Sequence, residues 1–259
     1  MQPEEISQAT PVAAETPLFS PTIAAPERDP FWGYTDLLLL LGLLAASLAV
    51  IMFGTALWSF WQPSVKDNVI ELALPMQFVL YIFVYLCFLV IFKFKYDRGV
   101  FEALKWRKTP HSLLMAGLGG ILLAFGLSLL ADLIHTPKVD TPFDQLVKTP
   151  FSMLLLAVTA VLLAPLFEEM LFRGFLQPLL SRTFGVALGI GMTAVLFGGL
   201  HASEYQGSWQ YVVAITVVGV ALGVVRARTD SLIPGAVMHG SFNAVSVVAL
   251  LGQKYFIHK

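Results

Sequence analysis

Residues 151–182 read FSMLLLAVTAVLLAPLFEEMLFRGFLQPLLSR. The stretch opens on an apolar run, carries two adjacent acids and an arginine (Glu168, Glu169 and Arg173), and then returns to an apolar pattern. Such a run predicts a helix that crosses a bilayer, which takes about 20 residues. An ionisable group at membrane depth costs roughly 2.5–3.5 kcal/mol on insertion scales. Charges placed there predict a functional site whose members offset one another's cost. Glu169 and Arg173 stand i,i+4 with the acid on the N-terminal side, the favourable order for an ion pair. Glu168 lies about 100° round the helix from Glu169. One carboxylate can be tied to Arg173 while its neighbour faces another direction and takes a separate role.

The rest of the chain fits a membrane setting. Of its 259 residues, 57% are hydrophobic and 13% charged, against about a quarter charged in soluble domains, and mean hydropathy is +0.76. Seven apolar segments stand near 37–61, 72–92, 112–134, 151–170, 184–202, 209–225 and 231–251, with an eighth obtained by splitting or extending one of them. The expected fold is therefore all-α, a polytopic transmembrane bundle of about seven or eight helices in contact with membrane lipids. A net charge of −1 gives no reason to expect a nucleic-acid partner. The one cysteine, Cys87, lies in an apolar run, reads as a small hydrophobe and says nothing about compartment. Residues 1–30, rich in Pro, Ala, Thr and Glu, read as a disordered tail and not as a signal peptide. Residues 31–149 then supply N-terminal membrane helices, and 150–259 the polar-bearing core. Basic residues cluster in the 93–111 connection, at Arg173 and Arg182, and at Arg226 and Arg228. The positive-inside rule places these and the N-terminal tail in the cytoplasm. Lys254 and Lys259 favour an eighth crossing or a re-entrant segment. The expected location is the plasma membrane.

Three further polar residues sit in late apolar segments: His201, His239 and Asn243. Phe197 and His201 share one helical face, and so do His239 and Asn243. If the helix bearing Glu168 runs on to about residue 180, the chain descends about 18 Å from Glu168 and then climbs about 25 Å to His201. Only then do the two side chains meet in depth. A shared site thus requires a fourth helix over about 151–180, with Pro165 inside it. A buried carboxylate and a histidine sharing one water can activate that water as general bases. Donors from His239 and Asn243 suit the oxyanion of a tetrahedral intermediate. A covalent serine mechanism lacks its Gly-x-Ser-x-Gly elbow. Zinc held by Glu168, His201 and His239 is the competing reading, although the compact His-Glu-x-x-His helix is absent; no cofactor is otherwise expected.

Glu168-Glu169-Met-Leu-Phe-Arg173, Phe197-Gly-Gly-Leu-His201 and His239-Gly-Ser-Phe-Asn243 resemble, in order, the EExxxR, FxxxH and HxxxN motifs of the CPBP family. That family contains CAAX prenyl proteases and bacteriocin-processing enzymes. The resemblance implies Glu168 as the catalytic glutamate assisted by His201, His239 and Asn243 as the oxyanion site, and Glu169, Arg173 and Phe197 as supporting residues. It also implies a peptide or protein substrate, lipidated in the eukaryotic members. Two rival classes use similar buried polar groups. One is a non-catalytic membrane scaffold or bacteriocin-immunity protein on the same fold. The other is a proton-coupled transporter, for which two related halves would be expected. The aromatic cluster Phe78, Tyr81, Phe83, Tyr85 and Phe88 reads as packing and lipid contact, and the glycines at 117, 119, 120, 185, 189 and 191 as close helix crossings.

Overall fold

All seven apolar segments form helices in a computed structural model, which describes residues 29–62, 69–137, 139 and 149–253. No strand occurs among the described residues. Helix α1 is Tyr34–Trp61, and α2 is Val69–Phe88, running on as a π turn over Leu89–Lys95. The short α3 is Val100–Ala103, and α4 is Leu113–Leu133. The fourth apolar segment is one continuous helix, α5, over Pro150–Phe184. It is followed by α6 (Val186–Leu200), a 3-10 turn at Ala202–Tyr205, α7 (Trp209–Thr229) and α8 (Ile233–Gly252). Residues 1–28, which hold nearly all of the expected tail, lie outside the described residues, as do Lys254 and Lys259.

Among the described residues, six helices (α1, α2, α4, α5, α7 and α8) are long and apolar enough to span a membrane. The protein is a multi-pass, all-α integral membrane bundle. Helix α6 is the exception to the expected seven or eight spans. Its 15 residues cover about 22 Å, short of a hydrocarbon core of about 30 Å. It ends at the polar turn that begins at His201. Many large apolar side chains on α1 and α4, such as Phe53, Phe60, Leu114 and Phe125, are exposed; in this setting they face lipid.

The basic end of the bundle is stitched by ion pairs. Lys95 Nζ meets Asp36 at 2.5 Å, and the Tyr96 hydroxyl donates to the same carboxylate at 2.8 Å. Asp230, in the turn between α7 and α8, receives Arg226 at 2.8 Å, Lys105 at 3.1 Å and Arg107. Burial alone would push the Asp230 carboxyl up, but Arg226 and Lys105 outweigh it and hold it below the ordinary carboxylate range. Asp29 pairs with Lys105, and Arg182 donates to the Pro30 carbonyl. Trp32 inserts into the core beside Phe88, Phe92, Met170 and Phe175, and its indole N–H donates to the Phe175 carbonyl at 3.1 Å. Arg173 takes no part in these pairs; it is fully buried within α5.

Close crossings position the polar helices. A β-carbon at Gly120 of α4 would drive into the Met238 carbonyl of α8, and one at Gly198 of α6 would lie 2.7 Å from the Val212 carbonyl of α7. Gly117 and Gly189 also face neighbouring helices closely. Gly191 does not, and Gly185 serves instead as the α5–α6 turn, at φ +86° with nothing within 4 Å of a β-carbon. Gly120→Ala should therefore lower the melting temperature in detergent, at a cost of about 1–3 kcal/mol for overpacking. Gly126→Ala, on the same helix with open space around it, is the control and should shift stability by no more than about 0.5 kcal/mol.

Candidate active site

Helix α5 is not regular. It widens to π geometry at Thr159–Leu163, returns to α geometry at Ala164–Glu168, and widens again at Glu169–Leu176. Pro165, with no N–H to give, lies between the two π turns, and such turns are frequent where helices carry function. The adjacent acids stand at the start of the second turn. The continuous helix also satisfies the depth requirement. From Glu168 to Phe184 the chain covers about 24 Å, and α6 climbs about 22 Å back to His201.

The two acids have different surroundings. Glu169 and Arg173 have side chains 0% exposed, with Glu169 Oε1 3.0 Å from Arg173 Nη1. Arg173 Nη2 donates to the Gly219 carbonyl at 3.3 Å, and its guanidinium lies 4.3 Å from the centre of the Phe197 ring. His239 Nδ1 stands 3.2 Å from the same Glu169 Oε1, which requires a proton on Nδ1. Glu169 Oε2 occupies space that a β-carbon at Gly235 would enter, at 2.9 Å. Glu168, by contrast, is 26% exposed, and its Oε2 lies 3.6 Å from His239 Nε2. His239 thus bridges the pair, one ring nitrogen toward each carboxylate. Asn243, one turn further along α8, donates from Nδ2 to the Ala160 carbonyl at 2.8 Å, and its second amide proton remains.

His201 caps α6. Its Nδ1 lies 2.8 Å from the Phe197 carbonyl; a carbonyl only accepts, so Nδ1 carries the proton and Nε2 keeps its lone pair. The Phe197 ring lies between the two histidines, 4.7 Å from His201 and 5.8 Å from His239. Glu168 and His201 make no ion-pair contact within 4.0 Å; Glu168 reaches His239 instead. Among the described residues no group of three His, Cys, Asp or Glu side chains could hold a metal ion.

Two residues not assigned to the site from sequence stand beside it. Tyr81 of α2 stacks on Phe167 at 4.6 Å, next to Glu168. Glu204 lies on the 3-10 turn, its backbone N–H donating to the His201 carbonyl at 3.1 Å. Side chains three apart on a 3-10 turn eclipse one another, so an acid three residues after a helix-ending histidine was the available signal. Burial pushes the Glu204 carboxyl up; His201 opposes this and Glu168 adds to it. The folded state therefore binds this proton more tightly than the unfolded chain. Stability falls as pH rises from the ordinary value of 4.5 through the raised one. Glu204→Gln should melt higher than the parent protein at neutral pH, and the difference should vanish in melts below pH 4.5.

One acid is thus sunk against Arg173 and His239, while its neighbour stays part-exposed beside the same imidazole. Residues 149–245 match the family described as Rce1-like, type II CAAX prenyl endopeptidase. The match spans all three motifs and bears out the resemblance read from them. No curated protein and no solved structure matches the chain.

Proposed function

We propose that this protein is an intramembrane endopeptidase in which Glu168 and His201 activate water. The two groups take a proton from a water molecule held between them, and the hydroxide attacks the carbonyl carbon of the scissile amide. The oxyanion is held by His239 and by the free amide proton of Asn243. The C–N bond then breaks as the abstracted proton passes to the leaving amine. Glu169, Arg173 and Phe197 support the site by fixing His239 and the wall beside it. No metal takes part. Residues 150–259 form the catalytic core, 31–149 the flanking helices, and the enzyme resides in the plasma membrane.

The observation that carries this reading is the contrast between the adjacent acids. Glu169 is fully buried against Arg173, whereas Glu168 is 26% exposed beside His239. A structural ion pair needs one carboxylate; the second, open one is placed to act as a base. A CAAX-type substrate would keep its lipid in the bilayer while its peptide reaches Glu168.

The test is peptide release by purified protein from matched prenylated and unprenylated CAAX-type peptides. Release of a C-terminal fragment is expected, unchanged by strong chelators and without stoichiometric zinc in the protein. Chelator inhibition reversed by added zinc would move the mechanism to a metallopeptidase. No release from either peptide would leave the non-catalytic scaffold as the better reading.

A further inference from the structure

Helix α8 brings His239 and Asn243 to the site, so what sets its register sets the site. Its inner face meets α5 at the first π turn. Gly240 lies so close that a β-carbon there would stand 2.6 Å from the Val161 carbonyl. Three residues on, Asn243 Nδ2 donates to the Ala160 carbonyl. Both contacts fall on backbone carbonyls of a helix interior, which are ordinarily occupied by the helix's own N–H groups.

The Ala160 carbonyl is free for a definite reason. In a regular α-helix its donor would be the N–H of residue 164. Here the Ala164 N–H donates one residue further back, to Thr159. In π geometry the donor to Ala160 would be residue 165, which is proline and has no N–H. The same proline also denies Val161 its α-type donor. The proline thus leaves the Ala160 carbonyl without a donor from its own helix on the face where α8 docks, and Asn243 takes it.

We infer that Pro165 is a positioning residue: by withholding a backbone N–H it frees the Ala160 carbonyl to anchor Asn243, and so registers α8 against Glu168 and Glu169. The anchor fixes the orientation of the Asn243 amide, which would otherwise have two nearly equivalent flips. It also fixes the rotation of α8 at His239, whose ring nitrogens stand 3.2 Å and 3.6 Å from the two acids. An alanine at 165 would supply the missing N–H. The π turn could then close to a regular helix, and the intrahelical donors would compete with Asn243 for its carbonyl.

This inference rests on the reading of Asn243 as part of the peptidase site. The test compares Pro165→Ala, Asn243→Ala and the double variant, with kcat and KM referred to monodisperse folded protein in detergent. Pro165→Ala should melt no lower than the parent, since a proline inside a helix costs rather than contributes stability. Its kcat should fall by about tenfold to a hundredfold, the scale of a misplaced catalytic group, with KM within about twofold. The double variant should be no slower than Asn243→Ala alone, because both changes break one linkage.

A Pro165→Ala enzyme with unchanged kcat, alongside an impaired Asn243→Ala, overturns the inference and leaves the peptidase reading standing. Losses that multiply in the double variant overturn it as well. So does a lowered melting temperature with activity lost in proportion to the folded fraction. Full activity in Asn243→Ala would remove Asn243 from the site, and the inference with it.

Discussion

Glu168→Gln is expected to lower kcat by at least about a hundredfold, the low end for loss of a general base, while the protein folds and melts as before. A hundredfold loss corresponds to about 2.7 kcal/mol of transition-state stabilisation. Glutamine keeps the size and one acceptor oxygen of the side chain but cannot take a proton from water. Stability should hold because Glu168 is partly exposed and its His239 contact is long, at 3.6 Å. The adjacent position behaves in the opposite way. Glu169→Gln removes a charge from beside a fully buried guanidinium, so its first effect should be on the melting temperature. Purified Glu168→Gln protein that still releases peptide at the parent rate would end the assignment of Glu168 as the base.

The helices were legible because lipid demands long apolar runs, and each of the seven runs became a helix. Continuity of α5 through Pro165 was legible for a different reason. A shared site for Glu168 and His201 is possible only if the chain goes down and back by similar distances, and α5 with α6 meets that condition. The π turns were not legible. Pro165 removes one donor beside the first turn, but whether the helix widens there also depends on Asn243 of α8 reaching the Ala160 carbonyl, a tertiary contact that the spacing of residues within α5 does not encode. The same holds for His239, whose motif spacing pairs it with Asn243 but does not place it between two acids on another helix. Glu204 was missed because its link to His201 arises in a 3-10 turn of four residues, where the spacing rules for a membrane helix no longer apply. Trp32 lies in the short stretch before α1, and only the packed structure brings it against Phe175.

Arg173→Ala should be the most destabilising single change at the site. Both partners of the pair are 0% exposed, and removing one partner of a buried pair typically costs about 3–5 kcal/mol because the other charge is left uncompensated. Two further contacts go with the side chain, the Nη2 bond to the Gly219 carbonyl and the face of the Phe197 ring. Lysine should rescue only part of the loss, since an ammonium cannot stack flat on that ring while reaching Glu169. Arg173→Ala with Glu169→Ala removes the orphaned charge and should recover a measurable part of the melting temperature in detergent. It should not recover turnover, because His239 then loses the carboxylate that holds its Nδ1 at 3.2 Å. Thermal melts and peptide release on the same three preparations separate the two effects. A double variant no more stable than Arg173→Ala alone would mean that the ion pair is not what stabilises α5. A double variant with restored kcat would mean that Glu169 has no part in orienting His239.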